Sequence, residues 1–136
     1  LNYSNLVSPD TVVIADPEQM KKVINNIISN SVKYMDKPDG HIDIRILDEV
    51  DSIQVEIEDN GKGIAQKDLQ KIFERFYRTD ASRNSAQGGS GIGLSIVKKI
   101  VEDHGGYVWA TAKEGEGTCM HFVLRKYIEL QPGGTK

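Results

Sequence analysis

DPEQMKKVINNIISNSVKY, residues 16–34, carries the pattern from which the fold can be read. Asp16 stands as an N-cap, Pro17 occupies the first helical position, where its missing N–H is no loss, and Gln19 completes a capping box. Met20, Val23, Ile24, Ile27, Ile28 and Val32 then recur at three- and four-residue spacing, which predicts a helix with one apolar face as far as about Tyr34. Asp36 to Gly40 ends it. Beside the apolar face, Asn26, Asn30 and Lys33 form a polar stripe within about 60° of arc. Amides are mediocre formers of mid-helix. An Asn oxygen can bind a hard cation and a lysine can meet phosphate, although a solvated helix face explains such a stripe equally well when it stands alone.

Downstream, Ile42, Ile44 and Ile46 alternate with Asp43 and Arg45, and Ile53, Val55 and Ile57 with Gln54 and Glu56, giving two strands with one apolar face each. Asp59 is in phase with the apolar residues of the second strand, so its carboxylate points to the core side; Asp59-Asn60-Gly61 is equally an ordinary turn signal. Gly61 and Gly63 would let backbone approach a ligand closely. Gln66–Phe76 is expected to be helical, with Lys71, Arg75 and Arg78 as a basic face. The next fourteen residues, Tyr77–Ser90, lose all periodicity and read as a lid. Gly88-Gly89-Ser90-Gly91-Ile92-Gly93-Leu94 runs from that loop into a helix marked by Ile96, Val97, Ile100 and Val101 and closed by His104-Gly105-Gly106. Bare amides at such a helix start can hold phosphate without net positive charge. Strands near Tyr107–Ala112 and Thr118–Lys126 complete the sheet, Thr11–Ala15 adds a short strand before the first helix, and 131–136 is expected to fray.

Composition narrows the function. The 136 residues are 38% hydrophobic and 27% charged, enough for one globular domain over 1–130. A net charge of −3 disfavours a nucleic-acid partner, and no apolar run is long enough to span a bilayer. The single cysteine, Cys119, suits a reducing compartment and reads as a small buried apolar residue. His41, His104 and His121 form no visible triad or metal set. The chain begins at Leu1 rather than Met, so it is expected to be cut from a longer chain or processed.

Together the motifs resemble those of sensor histidine kinases. Asn26–Tyr34 is similar to their N-box, Asp59–Gly63 to the first glycine box, Ile72–Arg78 to the phenylalanine box, Gly89–Leu94 to the second glycine box and Gly115–Thr118 to the last. The resemblance implies an α+β fold, the Bergerat ATP-binding fold: a two-layer sandwich with a mixed, mostly antiparallel sheet and helices on one face. It implies ATP and Mg2+ as ligands. Asp59 would accept from the adenine amine, Thr118 would assist adenine recognition, Tyr34 would pack near the nucleotide, and Gly61, Gly63 and Ile64 would belong to the same binding site. Asn30 would bind Mg2+, Asn26 would support it, Lys33 and Arg78 would meet phosphates, and Gly89, Gly91, Gly93 and Leu94 would cradle them. Phe73 and Phe76 would anchor the lid.

Ser90, Ile92, Ser31 and Ser95 depart mildly from the common pattern. No His here is followed by an acidic residue and then a proline, so the resemblance implies a catalytic domain acting on a histidine of a separate dimerisation domain, with a response regulator downstream. The full-length protein is then expected to be a homodimer, with this part the cytoplasmic portion of a membrane-anchored sensor. Hydrolysing relatives of the fold carry a glutamate where Asn26 stands, which implies slow ATP hydrolysis here. An anti-sigma-type serine kinase and a nucleotide-binding pseudokinase acting as an interaction module are the alternatives.

Overall fold

The computed structural model describes residues 1–74 and 93–127. Five strands form one sheet: β1 (Asn2–Asn5), β2 (Ile42–Asp48), β3 (Ser52–Asp59), β4 (Val108–Lys113) and β5 (Gly117–Arg125), in the order β1-β2-β3-β5-β4. β1 lies parallel to β2, and every other pairing is antiparallel. Among the described residues two helices, α1 (Pro17–Lys33) and α2 (Gly93–Asp103), pack on one face. This is the two-layer α+β arrangement expected, with α1 as the crossover between the parallel strands.

The layers meet where two periodicities coincide. Ile53, Val55 and Ile57 of β3 and Met120, Phe122 and Leu124 of β5 face Val23 and Ile27 of α1 and Val97, Ile100 and Val101 of α2. α1 begins as its sequence predicts: Asp16 Oδ1 accepts from the N–H groups of Glu18 and Gln19. α2 ends in a Schellman motif. Gly105, at φ +79°, donates its N–H to Glu102, and Gly106 donates to Val101. His104 joins the two helices, its Nδ1 bonded to the Ile100 carbonyl at 2.7 Å and its Nε2 accepting from Asp16 N–H at 3.1 Å.

Three local expectations change. The extended pairing expected at Thr11–Ala15 reduces to one bridge, Val13 to Lys126, and the first strand is instead Asn2–Asn5, whose polar residues give no apolar alternation. Gln66–Phe76 is not one helix over its described part: Gln66–Asp68 forms a 3₁₀ turn and the chain continues in turns to residue 73. Ile72 and Phe73 bury their side chains all the same, so the apolar spacing marked burial rather than regular helix. Val32 is 61% exposed although it stands four residues after the partly buried Ile28; the inward place in that turn goes to Ser31. Arg75, Phe76, the lid Tyr77–Ser90 and the tail 131–136 lie outside the described residues.

Truncating Ile27, which has no exposed surface, is expected to cost about 2–5 kcal/mol as Ile27→Ala. Val32→Ala should change stability by no more than about 0.5 kcal/mol. Urea unfolding of the two variants checks the contrast.

Candidate nucleotide-binding site

Asp59 ends β3, directly opposite Thr118 of β5. Ile53, Val55 and Ile57 fix the inward phase, and the half-buried Asp59 continues it. Its Oδ1 accepts the N–H of Gly61 at 2.9 Å and that of Thr118 at 3.3 Å. The two readings of Asp59-Asn60-Gly61 are therefore both realised: the carboxylate turns the chain and is also the acceptor at the end of the apolar face. Backbone crowds around it. A Cβ on Gly61 would sit 2.8 Å from the Tyr34 carbonyl oxygen, and one on Gly117, at φ +128°, only 2.0 Å from that of Asp59. A Cβ on Gly63, at φ +76°, would sit 2.4 Å from the Lys113 carbonyl oxygen.

The polar stripe of α1 meets the start of α2. Asn26 donates its Nδ2 to the Lys22 carbonyl at 2.9 Å, and its Oδ1 lies 3.3 Å from where a Cβ on Gly93 would be. Asn30 and Lys33 are half-buried on the same helix. Tyr34 caps the helix, with the ammonium groups of Lys33 and Lys62 at 5.5 and 5.1 Å from its ring centroid. Ile64 and Leu94 are partly buried against the core. The described candidates thus gather around two centres. One is Asp59 with Gly61, Thr118 and the Tyr34 carbonyl; the other is Asn26 with Gly93. Arg78, Gly89 and Gly91 lie outside the described residues.

One group escaped the sequence reading. Lys37, in the turn after α1, donates to the carbonyls of Asn60 at 2.6 Å, Gly61 at 3.0 Å and Gly115 at 2.8 Å. A lysine in a polar turn carries no signal that sets it apart from a solvated one.

The opposite face of the sheet holds a separate network. Arg45 pairs with Glu56 and Glu58 at 3.0 Å each, His121 Nδ1 meets Glu56 Oε2 at 3.1 Å, and Trp109 stacks on the His121 ring at 4.8 Å. Burial pushes the Glu56 carboxyl up, but its Arg45 hydrogen bond and the nearby His121 outweigh that and hold it below the usual carboxylate range. Burial, with Glu56 and Glu58 adding to it, pushes the Cys119 thiol up to about 12. Glu56, Cys119 and His121 present ligand-type atoms within 4.8 Å of one another. The Glu56 carboxylate is bonded to Arg45 and His121, which makes it the centre of a network linking β2, β3 and β5. A cleft of about 450 Å³ beside Gln66, Gln70 and Ala110 is lined by none of the candidate site residues.

Residues 15–128 match the family of histidine kinase-, DNA gyrase B- and HSP90-like ATPases, and the chain belongs to that family. Within it, the chain is 41% identical over 122 residues to the sensor histidine kinase WalK of Bacillus subtilis, covering 88% of this chain and 20% of that protein. To the sensor protein kinase WalK of Staphylococcus aureus it is 40% identical over 111 residues, 80% of this chain and 26% of that one. The chain therefore spans about a fifth to a quarter of the length of these relatives. A mycobacterial sensor histidine kinase, MprB, superposes with a TM-score of 0.77 at 31% identity, covering 92% of this chain and 83% of its own. The nucleotide-free catalytic domain of the histidine kinase ThkA gives 0.75 at 30%, covering 90% and 77%. The chain is thus a histidine-kinase-type ATPase domain, and ATP binding is the property of its family.

Two outcomes follow from this geometry. Gly117→Ala should lower stability by about 2–4 kcal/mol, because it adds a backbone clash to an unfavourable φ. Gly115→Ala, with φ +80° and nothing within 4 Å of the added carbon, should cost about 1 kcal/mol. Thermal unfolding separates them. Because the folded Glu56 pKa lies below its unfolded value, its stabilisation is present above the unfolded carboxylate pKa and is lost as pH falls through the folded one. Glu56→Gln should flatten the acid side of the stability profile, measured by denaturation at a series of pH values.

Proposed function

We propose that this chain binds ATP with Mg2+ and donates the γ-phosphoryl group to a histidine on a separate dimerisation domain of the same protein. The observation that carries the reading is the state of Asp59. Among the described residues, both backbone hydrogen bonds to it end on Oδ1, and Oδ2 would accept from the exocyclic amine of adenine. A carboxylate can only accept, so it selects a base that donates at that position. Thr118, Gly61, Gly63, Ile64 and Tyr34 surround the base, and Asn26, Asn30 and Lys33 serve the phosphates.

The donor set fits magnesium. Asn26 and Asn30 offer neutral amide oxygens, suited to a small hard cation that takes most of its ligands from phosphate and water. Asn30 would hold the ion, which neutralises charge on the phosphates. The first-turn amides of α2, at Gly93 and Leu94, would add positive partial charge, and the family resemblance assigns Gly89, Gly91 and Arg78, outside the described residues, to the phosphates as well. Asn26 cannot accept a proton from water, so the stripe holds ATP without activating its hydrolysis. Phosphoryl transfer rests on positioning and charge stabilisation, and the nucleophile comes from outside: an imidazole on a helical domain, with the phosphate then passing to a response regulator. In the full-length homodimer this domain would face the cytoplasm. No helix among the described residues is long and apolar enough to cross a membrane.

Asp59→Asn should weaken ATP binding roughly ten- to a hundredfold by calorimetry, the effect of ~1–3 kcal/mol for a mispaired buried group; unchanged affinity would remove Asp59 from the site. With radiolabelled ATP, the chain should turn over slowly by itself and give acid-labile label on its histidine-bearing domain. Rapid hydrolysis by the isolated chain, or acid-stable label on a serine, would select a hydrolase or a serine kinase instead. Binding with no labelling of any acceptor would select the pseudokinase.

A further inference from the structure

We infer that Lys37 is a positioning residue for adenine recognition: its ammonium group fixes the peptide that aims the Asp59 carboxylate. The inference rests on the reading of Asp59 as the acceptor for the adenine amine. An ammonium group has three N–H donors, and all three here go to main-chain carbonyls, at 2.6, 3.0 and 2.8 Å. The side chain of Asp36, at 4.0 Å, is a distant counter-ion by comparison.

One of those bonds has a particular consequence. The peptide group between Asn60 and Gly61 gives its C=O to Lys37 Nζ and its N–H to Asp59 Oδ1, at 2.9 Å. A single peptide plane is held at both ends, with its dipole running from cation to carboxylate, and each bond polarises the other. Rotation of that plane would withdraw one of the two donors that fix Oδ1 and so turn Oδ2 away from its aim.

The other two bonds tie the remaining walls. Gly115 accepts from Lys37 while its own N–H donates to Lys62 at 2.8 Å, and Lys62 N–H donates to Tyr34 at 3.3 Å. The end of α1, the turn after β3 and the β4–β5 turn are laced into one ring, with Lys37 the side chain that reaches two of them. Asn60 holds the same turn from behind: its Oδ1 accepts from His41 N–H at 2.8 Å. None of these bonds involves Asn30 or the second-glycine-box end of α2. Loss of the ammonium group should therefore cost base discrimination and leave affinity for the triphosphate in place.

Calorimetry with ATP and inosine triphosphate, which carries a carbonyl oxygen where adenine carries its amine, separates these effects. The unaltered chain should prefer ATP by at least about tenfold, and Asp59→Asn should abolish the preference. Lys37→Met keeps the apolar stem and should weaken ATP binding about tenfold while inosine triphosphate stays within about threefold. Lys37→Arg, which can still donate to neighbouring carbonyls, should recover most of the preference. Equal loss for both nucleotides, or an unchanged ratio in Lys37→Met, would overturn the role of Lys37. An unaltered chain that does not distinguish the two, or an Asp59→Asn ratio that does not move, would instead overturn the reading of Asp59. Should Lys37→Met fail to fold by circular dichroism, hydrogen exchange at the Gly61 amide of the unaltered, nucleotide-free chain decides. Slow exchange supports the clamp, and exchange at the rate of an open peptide refutes it.

Discussion

The pairing of β3 with β5 is the constraint on which the rest depends. It runs in register from Ser52 opposite Arg125 to Asp59 opposite Thr118, and it supplies both halves of the sheet's buried face. A slip by one residue would turn Ile53, Val55 and Ile57 outward and bring Gln54, Glu56 and Glu58 in, so the hydrophobic contacts with α1 and α2 lock the register. The same lock puts a carboxylate at the end of the apolar stripe, where a β5 amide can hold one of its oxygens. Core packing and the proposed recognition of adenine thus draw on one alignment.

Much of this was legible, and for identifiable reasons. α1 could be read from both ends because its cap, its first-turn proline and its apolar spacing agree. β2 and β3 could be read because each has one wet and one dry face. β1 could not: Asn2, Tyr3, Ser4 and Asn5 are all exposed, and their extended form comes from pairing with Asp43–Ile46 rather than from pattern. The stretch after Ile64 misled because burying Ile72 and Phe73 requires only the right spacing, which a series of turns also supplies. Val32 misled in the opposite sense: the inward row of α1 runs Val23, Ile27, Ser31, so the last turn presents Ser31 to the core and Val32 to its side.

The candidate site divides along the same line. Motifs that act through local geometry, such as the turn at Asp59 and the stripe on α1, could be seen in the chain. Lys37 could not, because its three acceptors lie 23, 24 and 78 residues away and are main-chain atoms, which every residue offers alike. The outer network escaped for a related reason. Arg45, Glu56 and His121 sit on three different strands, and only the sheet brings them side by side.

The close passage of backbone at Gly61, Gly63 and Gly117 bears on how such a pocket can change over time. In the proposed site, backbone closes in on Asp59 and its neighbours at these glycines, and a side chain at Gly63 or Gly117 would have to displace a peptide group. A compound that drew its hydrogen bonds from this main chain and from Asp59 would leave the protein few routes to resistance. One that leaned on the exposed side chains at the rim could be evaded by a single base change.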